Sequence, residues 1–137
     1  MSIRDMSSGR IPDIELRDGI AVHDLSGFSH LSLELMHQLY RQRLYLADPI
    51  PGYVMLLAKD VLTVDFEVQL HASNPKVQRV TQAIAIVGSS FMLEHLTSMF
   101  LSYHAPVYPV KRFDTEAEAL CWLNQIRGGV SAGEHSG

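Results

Sequence analysis

The stretch PVKRFDTEAEALCWLNQI, residues 109–126, sets a strand against a helix within a dozen residues and does so almost at the end of the chain. Proline is tolerated in a strand only near an edge or at its start, so Val107 to Phe113, with Pro109 inside, reads as a strand at the margin of a sheet. Asp114 or Thr115 then caps a helix, and Thr115 with Glu118 fits the S/T-x-x-E capping box. Ala119, Trp122, Leu123 and Ile126 recur at three- and four-residue steps, which puts them on one inward face. A helix that follows the last strand must dock back to cover it, so the ending predicts an α/β layer structure.

Upstream, AIAIVG at 83–88 is apolar on both faces, the pattern of a strand buried on both sides. Ser89 or Ser90 caps the next helix, whose Met92, Leu93, Leu96, Met99, Phe100 and Tyr103 form a wide apolar stripe read as core, with a ligand wall as the alternative because methionines and aromatics such as Met92, Met99, Phe100 and Tyr103 also line adaptable apolar pockets. YVMLLAK at 53–59 is a further interior strand, entered through the turn Pro51-Gly52. Asp65 reads as the cap of a short helix FEVQLHA, which Pro75 interrupts before KVQRVTQ adds a turn or two. SLELMHQLYRQRLYLA, 32–47, carries Leu35, Met36, Leu39, Tyr40 and Leu44 at helical spacing after a Ser32 cap, and Asp48-Pro49 stops it. Asp18-Gly19 between two apolar runs is a hairpin signal. The order β-β-α-β-α-β-α-β-α gives a mostly parallel sheet of about five strands behind an N-terminal hairpin, with about four helices.

With 137 residues, 47% of them hydrophobic and 19% charged, the chain suffices for one core and not for two. The domain spans 13–127. Residues 1–12, polar and without period, and residues 128–137, rich in Gly and Ser, read as flexible tails. A net charge of −4, with no basic cluster beyond Lys111 and Arg112, argues against nucleic acid as a partner. No apolar run approaches the roughly 18 residues that would span a bilayer. The single Cys121 excludes an internal disulfide, and Met1 to Pro12 lacks a signal-peptide h-region, so the cytoplasm is the expected location.

The run TQAIAIVGSSFMLEHLTSMFLSYHAPVYPVKRFDTEAEALCWL, 81–123, resembles the C-terminal half of the SpoIIAA-like proteins, relatives of the STAS and SEC14 domains. Their typical tail is an apolar strand, a small-residue turn, a long helix, a Pro-Val strand, Phe-Asp or Phe-Thr, acidic residues and Ala-x-x-Trp-Leu. Here it is carried by Pro109, Val110, Phe113, Asp114, Glu116, Glu118, Ala119, Trp122 and Leu123. The resemblance implies a single α/β sandwich and a regulatory, non-enzymatic module that docks a protein partner, with self-association as a further expectation. The alternative, implied by the SEC14 kinship, is a carrier or sensor of a small amphiphile between sheet and helices. STAS domains that antagonise anti-sigma factors carry a phosphorylatable Ser between a core strand and the next helix. This sequence has LLAKDVLTVDFE there, with Asp60 at the strand end and Thr63 as the only hydroxyl, so no phosphoswitch is expected. The docking loop is then Asp60, Thr63, Asp65 and Phe66, held at fixed negative charge.

Other candidates are weak. His23, His30 and His37 recur every seven residues but fall on different elements, so no metal site is expected. Cys121, beside Trp122 in mid-helix, reads as a small hydrophobe and not a nucleophile, and no other catalytic residue is assigned. Gly88, Ser89 and Ser90 turn a strand into a helix N-terminus and could cradle an anion or ligand, although an ordinary cap explains the serines. Walker A and GxGxxG patterns are absent, and no cofactor is expected. Glu116 and Glu118 complement the N-terminal dipole of their helix.

Overall fold

Asp18 and Gly19 turn the chain with φ of 52° and 83°, the two positive values that a type I′ turn needs. They fold β1 (Asp13–Arg17) antiparallel onto β2 (Ile20–Asp24). The computed structural model describes residues 11–103 and 107–134. After the hairpin come β3 (His30–Leu31), α1 (Leu33–Leu44), β4 (Tyr53–Leu57), β5 (Thr63–Val64), α2 (Glu67–Ala72) and α3 (Pro75–Arg79). The chain continues through β6 (Ala83–Val87), α4 (Phe91–Tyr103), β7 (Val110–Phe113) and α5 (Glu116–Glu134). The main sheet runs β1-β2-β4-β6-β7, with every pair after the hairpin parallel.

Alternation along the strands sends residues to two different cores. Ile20, Val22, Met55, Ala83, Ala85 and Val87 face α5, whose Ala119 and Leu123 are fully buried against them, with Trp122 and Ile126 packed at the side. The opposite face carries Val54 and Leu56 with Leu25, Ala58 and Val61, covered by Leu35 and Leu39 of α1 and Leu93 of α4. The domain is thus a sheet with α5 on one side and α1 and α4 on the other.

Several elements depart from the sequence expectation. There are five helices among the described residues, not about four, because Pro75 starts a helix instead of only interrupting one. It sits at the first helical position, and the Asn74 side chain caps Lys76 N–H at 2.8 Å. A second, two-stranded sheet, β3 parallel to β5, was not foreseen. β7 begins at Val110, so Pro109 precedes the strand, which removes the conflict between proline and a ladder hydrogen bond. α5 runs seven residues past 127, to Glu134. Gly128 and Gly129 each cost a helix about 1 kcal/mol, but propagation from an established helix needs no new nucleus. Residues 1–10 and 135–137, and with them most of the expected tails, lie outside the described residues.

Candidate functional site

Between the sheet and the helices on the α1 side lies a cavity of about 290 Å³. Leu56, Ile84 and Ile86 of the sheet form its floor, and Leu96, Met99 and Phe100 of α4 form much of its roof. Phe66 and Met99 line it while remaining 63% and 41% exposed, so it opens to solvent between the start of α2 and α4. The stripe Met92, Leu93, Leu96, Met99, Phe100 is therefore not simply core. Leu93 alone of the five is buried, Met92 is exposed, and Leu96, Met99 and Phe100 are cavity wall. The Tyr103 side chain lies outside the described residues.

A smaller space of about 50 Å³ adjoins the cavity and shares the walls Met36, Leu56, Ala72, Ile84 and Tyr108. Its other lining includes His23, Tyr40, Arg43 and His71. Arg43 is placed there by helical period: it follows Leu35 and Leu39 at four-residue steps on the buried face of α1. Only 4% of it is exposed. Its Nη1 donates to the carbonyls of Pro51 and Val80, both at 3.2 Å, and its Nη2 to Thr81 Oγ1 at 2.9 Å. All three acceptors are neutral, and among the described residues no carboxylate pairs with it. Burial lowers the Arg43 pKa, countered by Tyr108 and Tyr40, yet a guanidinium stays protonated in proteins.

The groups around it are neutral at pH 7. His23 is 2% exposed and its Nδ1 has no hydrogen-bond partner among the described residues. Loss of solvation, then the charge of Arg43, lowers its pKa to about 4. His71 is likewise lowered to about 4, by burial first and then by His37 and Arg43. The Tyr108 hydroxyl donates to Ala72 O at 2.8 Å, and burial pushes its pKa up to about 12, against the pull of Arg43. The site is an apolar cavity adjoined, across shared walls, by a small space that carries one permanent positive charge.

Nothing in the sequence reading pointed to this cluster. The signal was the position of Arg43, four residues beyond Leu39, where the stripe was instead continued to Leu44. His23, weighed in the sequence only as a metal ligand, is a wall of this space because β2 is an interior strand in which Ile20, Ala21, Val22 and His23 are all buried.

The expected docking loop takes a defined shape. Asp60 Oδ2 accepts from Gly27 N–H at 2.6 Å. His30 bridges the loop, its Nδ1 2.6 Å from Thr63 Oγ1 and its Nε2 2.9 Å from Asp65 Oδ1. The other carboxylate oxygen of Asp65 accepts from Leu33 N–H at 3.2 Å, so Asp65 caps α1 and not the short helix after it. That helix, α2, has Phe66 at its cap position, with no side-chain hydrogen bond there. The ladder of β3 with β5 brings His30 to the loop.

At residues 88–90, Gly88 N–H donates to Phe113 O at 2.9 Å and Ser90 Oγ accepts from Leu93 N–H at 3.0 Å. Both donors are thereby engaged within the fold. Among the described residues, no three His, Cys, Asp or Glu side chains gather as a metal site. His23, His30 and His37 fall on β2, β3 and α1, with the His37 ring 5.1 Å from His71. Cys121 is exposed, on the outer side of α5, and not the small core hydrophobe that its neighbour Trp122 suggested. Among the described residues no helix is long and apolar enough to cross a membrane.

Residues 14–127 match the family model described as "Domain of unknown function (DUF7793)". Among solved structures, the chain is similar to the crystal structure of an uncharacterized protein from the DUF3478 family with a SpoIIAA-like fold, from Shewanella loihica PV-4. The two are 15% identical, the match covers 82% of this chain and 91% of that chain, and the TM-score is 0.51. The likeness shows the SpoIIAA-like fold that residues 81–123 led us to expect. No curated protein matches the chain.

Proposed function

We propose that this chain, which belongs to the DUF7793 family, is a non-enzymatic binding module whose ligand is a small amphiphile held between the sheet and its helices. The observation that carries the reading is the cavity of about 290 Å³ with apolar floor and roof. A ligand that fills it recovers the contacts that the lining residues lack. The mouth between Phe66 and Met99 gives such a ligand a way in.

A second reading, docking of a protein partner at residues 60–66, is favoured by a different observation. Phe66 and Leu62 are exposed beside Asp60 and Asp65, and an exposed aromatic ringed by polar groups suits an interface anchor. The acids there are fixed charges and need no kinase.

Native mass spectrometry of the protein isolated from its source separates the readings, since it reports retained ligand, partner and subunit count together. The amphiphile reading expects a retained small molecule and a melting temperature that rises with added ligand by mass action. It is dropped if solvent extraction yields nothing and a screen of fatty acids, fatty alcohols and phospholipids gives no thermal shift. The docking reading expects co-purifying proteins that are lost when Asp60 and Asp65 are both replaced by Asn. Phosphate on Thr63 would contradict its kinase-independent form.

A further inference from the structure

The small space beside the cavity raises a question that apolar contact alone does not answer. A guanidinium has five donors, and Arg43 gives three of them to neutral acceptors. Burying a charge without a counter-charge is costly unless something compensates it. A purely structural Arg43, tethering Pro51 and Val80, explains those three bonds. It does not explain why His23 Nδ1, in a residue 2% exposed, is left without a partner in the wall of the same 50 Å³ space.

We propose that the ligand is an anionic amphiphile whose carboxylate sits in the 50 Å³ space against Arg43 and His23, with its chain in the 290 Å³ cavity. The proposal rests on the ligand-binding reading above and adds the class of head group. A carboxylate supplies the missing counter-charge and accepts from the remaining guanidinium donors, as Arg–carboxylate pairs do. The neutral His23 imidazole, as its Nδ1–H tautomer, donates to the same head. Size is compatible with both parts. At the ~10–15 Å³ of probe volume that one water occupies, the small space of about 50 Å³ has room for the few heavy atoms of a carboxylate, and the cavity of about 290 Å³ has room for a medium acyl chain.

The test uses the full chain, stripped of lipid on a lipophilic resin and titrated calorimetrically with decanoate and with 1-decanol. Decanoate is expected to bind about tenfold or more tighter, the worth of one hydrogen bond to a charged group. Arg43→Met should abolish that preference while leaving decanol binding in place, and His23→Leu should reduce it. Equal affinities for the two probes would overturn the carboxylate site and leave the ligand-binding reading standing. Binding of neither would remove both. A preference for decanoate that persists in Arg43→Met and His23→Leu would place the head elsewhere and overturn the proposal. If Arg43→Met does not fold, the carboxyl carbon of [1-13C]decanoate bound to the unaltered chain decides by NMR. Beside Arg43 it should stay ionised to lower pH than in water, and a titration like that of the free acid would overturn the assignment.

Discussion

Phe113 and Trp122 meet with ring centroids 5.4 Å apart and planes inclined at 50°, joining the last strand to the last helix. The pair lies at the margin of the α5 core, where Trp122 is only partly buried while Ala119 and Leu123 are fully so. Trp122→Ala should therefore cost about 2 to 3 kcal/mol, less than the ~3–5 of a fully enclosed aromatic. Leu123→Ala should cost at least as much despite removing fewer atoms. Urea unfolding of both variants measures this, and a Trp122→Ala chain as stable as wild type would mean that the ring serves something other than packing.

Gly88 marks where β6 passes into α4 with no room for a side chain. A Cβ there would collide with Leu93 Cδ2 and stand 3.3 Å from both Ala58 O and Lys59 Cα. The leucine tip yields more easily than the backbone, so Gly88→Ala should cost about 1–3 kcal/mol, as overpacking does. In a Leu93→Ala background the same change should cost less, since its worst contact is gone. A double-mutant cycle with no coupling would show that the backbone contacts set the penalty.

His23 makes stability depend on pH in a direction fixed by its burial. The folded chain takes up the proton near pH 4 and the unfolded chain near the ordinary value of 6.5, so between these limits the unfolded state holds more protons. Stability therefore rises with pH across that window, being present in full above about 6.5 and lost as the pH falls toward 4. At ~1.36 kcal/mol per pKa unit, the loss from His23 is about 3 kcal/mol. His71 acts in the same direction. Carboxylates also titrate below pH 5, so the comparison with His23→Leu isolates the effect. The variant should lose clearly less stability than wild type between pH 7 and pH 4, and parallel curves would contradict the assignment.

The legible parts of the fold were those with a period or a turn residue that admits few conformations. Asp18-Gly19 sets the hairpin, AIAIVG the central strand, and the spacing of Ala119, Trp122, Leu123 and Ile126 the buried face of α5. The site was far less legible. His30 reaches Thr63 and Asp65 through a ladder only two residues long on each strand, too short to leave a pattern. Arg43 does obey the α1 period, but a charged side chain adds nothing to an apolar stripe, which Leu44 continues in its place. α4 left two readings open: its Met and aromatic residues satisfy the helical template for core and equally suit a ligand wall, and composition does not distinguish a face pressed on a sheet from one that roofs a space above it.

That distinction can be made by filling the space. Leu96 is half-buried on α4 and lines the cavity opposite the sheet. Leu96→Trp adds several heavy atoms in that direction. The indole enters the space of about 290 Å³ without moving the strands, and the ligand-free chain should keep its stability or gain about 0.5–2 kcal/mol, as cavity-filling changes do. Uptake of decanol or decanoate should fall in the same variant, because ligand and indole compete for one volume. In a close-packed core the same change would instead force off-rotamer side chains and cost about 1–3 kcal/mol. The informative result is the pair of measurements, stability by urea and uptake by calorimetry. Retained stability with lost uptake identifies a binding cavity, whereas lost stability in a chain that binds neither probe identifies a core.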